Sequence, residues 1–90
     1  MPSYLVETYL ARGRAGEREA REQRARSAAR ELTDRGTPVR FDSSIHVPED
    51  EICFFVFDAP SGPAAALVAQ QAKLEPFRVV EAVPSGEEYA

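Results

Sequence analysis

The stretch Val39–Asp58, VRFDSSIHVPEDEICFFVFD, decides the fold. Its first nine residues alternate: Val39, Phe41, Ser43, Ile45 and Val47 fall on one side, and Arg40, Asp42, Ser44 and His46 on the other. Pro48-Glu49-Asp50 is a turn by composition. Ile52–Asp58 (ICFFVFD) is apolar on both sides, as expected of a central strand covered on both faces. Two strands joined by so short a turn form a hairpin.

On the N-terminal side, residues 17–34 form a helix. Ala, Arg, Glu, Gln and Leu favour that state, and Glu17–Arg21 and Glu22–Arg26 are i,i+4 pairs in the favourable order. Ala25, Ala28, Ala29 and Leu32 are its inward stripe, and Gly36 followed by Pro38 ends it. The Arg residues interleave with Glu17, Glu19, Glu22 and Glu31, which makes a solvated charged face a better reading than a nucleic-acid stripe. Before the helix, Ser3–Leu10 (SYLVETYL) reads as a strand, with Tyr4, Val6 and Thr8 on one side and Leu5, Glu7 and Tyr9 on the other. On the C-terminal side, Ser61 is an N-cap with Pro63 in the first turn of a second helix. Its apolar surface is Ala65, Leu67, Val68 and Ala72, and Pro76 stops it. Residues 77–83 (FRVVEAV) are the last strand.

The order strand, helix, strand, strand, helix, strand predicts an α+β, ferredoxin-like βαββαβ domain. Right-handed crossovers put both helices on one face of a four-stranded antiparallel sheet. One domain spans residues 1–83, and 84–90 form a flexible tail. The other face of the sheet is left bare, exposing Leu5, Phe55, Phe57 and Val80, and such a patch marks an interface or a ligand groove.

With 90 residues the core is thin, so pairing with a second copy helps. The net charge of −4 disfavours a general nucleic-acid binder. Cys53 is alone, which excludes an internal disulfide and points to a reducing cytoplasm. No segment approaches the roughly 20 apolar residues of a membrane span, so no membrane partner is expected.

Several motifs together resemble a known family. Tyr4-Leu5-Val6-Glu7, Val39-x-Phe41, Phe54 to Ser61, and Arg78-Val79-x-Glu81 are similar, in order and spacing, to a family of small bacterial proteins of unclassified function whose best-known member binds nickel. The resemblance implies a ferredoxin-like fold and a homodimer, a dimeric α/β sandwich or barrel, in which the open sheet faces meet. The chain departs from the family pattern at Ser43, where a His is typical, and at Phe55, where a Cys is frequent. Both departures remove donors that nickel favours.

His46 and Cys53 lie on opposite arms of the hairpin, and cross-strand neighbours approach to about 5 Å. On the open face they would make a nucleophile–base pair or half of a transition-metal site. The plainer reading, a strand-end His and a small buried Cys, is preferred because no third ligand is placed. Glu7, in mid-strand among aromatics, is a candidate general acid or base, or else the ion-pair partner of Arg40 or Arg78. Glu81 falls on the other face by strict alternation. Asp42 is a second acid on the open face, able to pair with Glu7 or His46, or simply solvated. Tyr9, Phe55 and Phe57 would wall a flat ligand or form dimer core, with Arg40 and Arg78 beside them.

Two functional expectations follow. In the first, the chain is a dimeric enzyme of (secondary) metabolism that needs no cofactor. Glu7, aided by Asp42 or His46, moves protons in a cyclisation, condensation or isomerisation of an aromatic or cyclic small molecule. In the alternative, it is a nickel- or other transition-metal-binding dimer that uses His46 and Cys53, with Asp42 and Glu7 as further ligands.

Overall fold

The computed structural model describes residues 1–86. Four strands, β1 (Ser3–Tyr9), β2 (Arg40–Val47), β3 (Ile52–Asp58) and β4 (Arg78–Ala82), and two helices, α1 (Glu17–Asp34) and α2 (Gly62–Gln71), follow in the order β1-α1-β2-β3-α2-β4. The strands form one sheet in the order β2-β3-β1-β4, with every neighbouring pair antiparallel. This is the expected α+β, ferredoxin-like arrangement.

Local chemistry fixes where the helices stop and start. The chain leaves α1 through Gly36, whose φ of +103° suits a residue without Cβ. The amide N–H of Thr37 then returns to the carbonyl of Leu32 at 2.9 Å. Ser61 caps α2, its hydroxyl accepting from the Ala64 N–H at 3.3 Å. Both inward stripes are mostly alanine: Ala25, Ala28 and Ala29 on α1, and Ala64, Ala65 and Ala69 on α2. Small side chains let both helices lie close against the sheet, so the large rings of the core come from the strands. Of the apolar surface expected of α2, Ala65, Val68 and Ala72 are buried, whereas Leu67 stands 43% exposed on the outer side.

The side of the sheet beneath the helices carries Tyr4, Val6 and Thr8 of β1 and Cys53, Phe55 and Phe57 of β3. The expectation that Phe55 and Phe57 lie on the open face is therefore wrong. Both rings are 0% exposed, and the open side of β3 carries Ile52, Phe54, Val56 and Asp58. Because β3 is apolar on both sides, its composition does not distinguish the two registers, which differ by one residue and exchange every side chain.

The clean alternation expected of β2 is broken. A bulge lies between Phe41 and Ser43, with Asp42 as the extra residue. Phe41 therefore pairs with Phe57 on the helix side, as do Ser44 with Phe55 and His46 with Cys53. Ser43, Ile45 and Val47 turn to the open side, opposite Val56, Phe54 and Ile52. The Phe41 ring packs on Phe57 and Phe55 with centroids 5.4 and 6.1 Å away, and Arg26 of α1 covers it at 5.3 Å. The tail expected at 84–90 falls partly on residues 87–90, outside the described residues.

Candidate functional site on the open sheet face

The bare face is apolar, with one charged pair near its middle. Register places Glu7 of β1 between Phe54 of β3 and Arg78 of β4, with Leu5 and Tyr9 two residues away along its own strand. Val80 on β4 and Ile45 on β2 extend the apolar surround. The backbone continues the ladder past the end of β4, the Phe77 N–H donating to the Glu7 carbonyl at 3.0 Å.

The Glu7 side chain is only 16% exposed, although no helix covers this side. Its Oε2 is 3.3 Å from Arg78 Nε, an ion pair by distance. The approach is out of line for a hydrogen bond, and Oε2 is shielded from water with no hydrogen-bond partner. A shielded oxygen of that kind lacks part of the stabilisation water would give it. Arg78, at the sheet edge, keeps 63% of its side chain exposed. Of the two ion-pair partners expected for Glu7, Arg78 is the one in place.

Arg40 is engaged elsewhere. Its Nε donates to Asp58 Oδ2 at 2.9 Å and its Nη2 approaches the same oxygen, while Asp42 lies 3.8 Å away. Those charges raise Arg40 further above its already high range. Burial pushes the Asp58 carboxyl up. Hydrogen bonds from Arg40 and Ser3, with the Arg40 charge and the N-terminus, outweigh this and hold it below the usual carboxylate range. Asp42 sits on the outer strand, where it accepts from the Ser43 hydroxyl at 3.2 Å, and β3 separates it from Glu7. A Glu7–Asp42 pair is therefore not formed.

His46 and Cys53 do face each other across the hairpin, but on the helix side and not on the open side. The bulge at Asp42 is the reason for His46. Its Nε2 is 3.4 Å from the carbonyl oxygen of Leu10. Cys53 is fully buried, and burial pushes its thiol up despite the opposing pull of Arg18 and Arg21. Among the described residues, no group of three or more His, Cys, Asp and Glu side chains is placed to hold a metal ion. Tyr9 stands on the open side, 60% exposed. Glu81 pairs with Tyr4 and so falls on the helix side, with no bulge in β4.

Sequence reasoning missed Phe54, Ile45 and Val56 as lining of this face. Phe54 is the β3 residue opposite Glu7, a position fixed only by the long-range pairing of β1 with β3. It also missed Ser44, which accepts from Arg18 Nε at 2.8 Å and donates to Glu22 at 2.6 Å, tying α1 to β2. A depression of about 470 Å³ lies by the helices, lined by Arg24, Glu31, Gln71 and Lys73 among others. Its polar groups already serve the fold, with Gln71 donating to Glu31 at 2.5 Å and Arg24 to the Ala72 carbonyl at 2.9 Å. The shielded, unpartnered oxygen is on the open face, which is therefore the better candidate site. Among the described residues, no helix is long and apolar enough to cross a membrane.

No family model matches the chain, and comparison with curated proteins gives no match. Among solved structures, it is similar to the crystal structure of SCO4226 from Streptomyces coelicolor A3(2). The TM-score is 0.75 over 92% of this chain and 98% of that one, at 13% identity. A likeness at that identity shows the fold and carries no residue roles.

Proposed function

We propose that the chain acts as a homodimer whose open sheet faces meet around a small aromatic or cyclic organic molecule, and that Glu7 is the acid/base of a cofactor-free reaction on it. The observation that carries this reading is Glu7 Oε2: shielded from water, without a hydrogen bond, among Phe54, Leu5 and Val80. That carboxylate lacks a hydrogen bond it could accept, and a bound molecule that reaches it when the exposed Arg78 side chain shifts can supply a proton or a hydrogen bond, a contact that gains strength in a water-poor site. Cyclisations, condensations and isomerisations share the requirement for one group that takes and returns a proton.

A second copy supports the same reading. Four strands at about 4.8 Å spacing and seven residues at about 3.3 Å each give a face of roughly 19 by 23 Å. Stable interfaces bury about 800 Å² per partner, so rim residues such as Tyr9 and Phe77 would have to join the apolar centre. Two such faces meeting would exclude water from Glu7 and close a cavity around it. The transition-metal reading has its residue pair beneath the helices, and no observation favours it.

Two probes test this. Sedimentation equilibrium of the wild type should show a dimer, which Val80→Arg converts to monomer. Opening of nitrobenzisoxazole to its cyanophenolate requires only a base in an apolar surround. The wild type should accelerate it and Glu7→Gln should not. Equal rates for the two proteins would remove Glu7 as the base.

A further inference from the structure

We infer that the molecule bound at this face is an enolisable carbonyl compound on a flat apolar body, with Glu7 drawing the α-proton and Arg78 holding the carbonyl oxygen. This rests on the reading of Glu7 as a base and adds the class of substrate.

Two groups short of partners stand side by side. Glu7 Oε2 has no hydrogen bond, and Arg78 makes no side-chain hydrogen bond or other ion pair among the described residues. With 3.3 Å between Oε2 and Nε, a ligand that satisfies both must present a proton to give and an oxygen to accept on neighbouring atoms. An α C–H beside a C=O has that spacing. The apolar frame of Phe54, Leu5 and Val80 selects further. A ligand charged from the start must shed its hydration to enter, whereas a ketone enters neutral. Its negative charge develops only during proton transfer, when Arg78 already stands beside the oxygen.

The step balances without a co-reactant. The α C–H bond breaks and its proton passes to the Glu7 carboxylate. The bonding pair becomes the C=C bond of the enolate, and the carbonyl π pair moves onto oxygen. One negative charge thus moves from Glu7 to the enolate while the guanidinium keeps an anionic partner throughout. Return of the proton from Glu7 to the same carbon restores the ketone, and return to the far end of an extended enolate gives an isomer.

The experiment follows exchange of the α-protons of β-tetralone in deuterium oxide by NMR. The wild type should exceed the buffer rate, and Glu7→Gln should fall back to it. Arg78→Gln should lose on the order of 100-fold, the scale for removing one donor to a developing oxyanion. Arg78→Lys, which keeps the charge but loses the planar fork, should recover part of that loss. Leu67→Ser, on the outer side of α2, should exchange like the wild type, and circular dichroism checks that each variant is folded. If nitrobenzisoxazole is opened but β-tetralone is not exchanged, Glu7 is a base and the carbonyl assignment is overturned. If neither reacts, the reading of Glu7 as a base falls with it. Exchange that survives in folded Arg78→Gln at the wild-type rate removes Arg78 from the site.

Discussion

Truncating two neighbouring phenylalanines should have very different consequences. Phe55 is fully buried beneath the helices and packs on Phe41 at 6.1 Å, whereas Phe54 projects onto the open face. Removing a buried Phe ring costs about 3–5 kcal/mol through lost transfer energy and the cavity left behind. At about 0.05–0.15 kcal/mol per residue, a domain of this length holds roughly 5–13 kcal/mol in total. Phe55→Ala therefore removes a large share of it. It should lower Tm by at least about 12 °C, at roughly 4 °C or more per kcal/mol for a domain of this size. Phe54→Ala opens no enclosed cavity in the single chain and should cost about 1–2 kcal/mol there, since the ring is only partly exposed and about 1.5–3 kcal/mol goes with complete burial of a Phe side chain. Its effect should appear instead in the dimer and grow with protein concentration. Urea unfolding followed by circular dichroism, at a dilute and a concentrated setting, separates the two. If dilute Phe54→Ala is as unstable as Phe55→Ala, the two faces of β3 are reversed and the site built on them is lost.

Other consequences are quickly checked. Cys53, buried with its thiol pushed up, should be inert to dithiobis-nitrobenzoate in the native protein and react only on unfolding. The Asp58 carboxyl is held below its usual range, so its pairing contributes fully above the unfolded value of about 3.9 and is lost as pH falls through the lower folded value. Acid unfolding of Asp58→Asn should accordingly be flatter than that of the wild type below about pH 4, and identical slopes would refute the pairing. Ser61→Ala should cost about 1 kcal/mol through loss of the α2 cap, read as a urea-midpoint shift with unchanged slope. Calorimetric titration with nickel should give the same heats for wild type and His46→Ala. Tight binding that needs His46 would revive the metal reading.

The element order, the helix stripes and the place of Glu7 were legible because each rests on a local period or a local chemistry. Ala25, Ala28, Ala29 and Leu32 recur at helical spacing, and all four are buried. Alternation along SYLVETYL put Glu7 on the open side, where it stands. What failed was non-local. In ICFFVFD every position is apolar until Asp58, so nothing in the strand says which set faces the helices. In VRFDSSIHV the alternation is genuine, but the bulge at Asp42 resets it, and only pairing with β3 reveals the extra residue. Those two misreadings together moved Phe55, Phe57, Cys53 and His46 to the wrong side. They also hid Phe54, which in fact faces Glu7.

The most direct test is a crystal structure of the protein grown with 2-naphthol, a neutral flat molecule. Its fused rings should lie between two open sheet faces, against Phe54 and Val80, with its hydroxyl donating to the Glu7 carboxylate and lying near Arg78. Density only in the depression by the helices, or two faces interdigitated with no space above Glu7, would contradict the account.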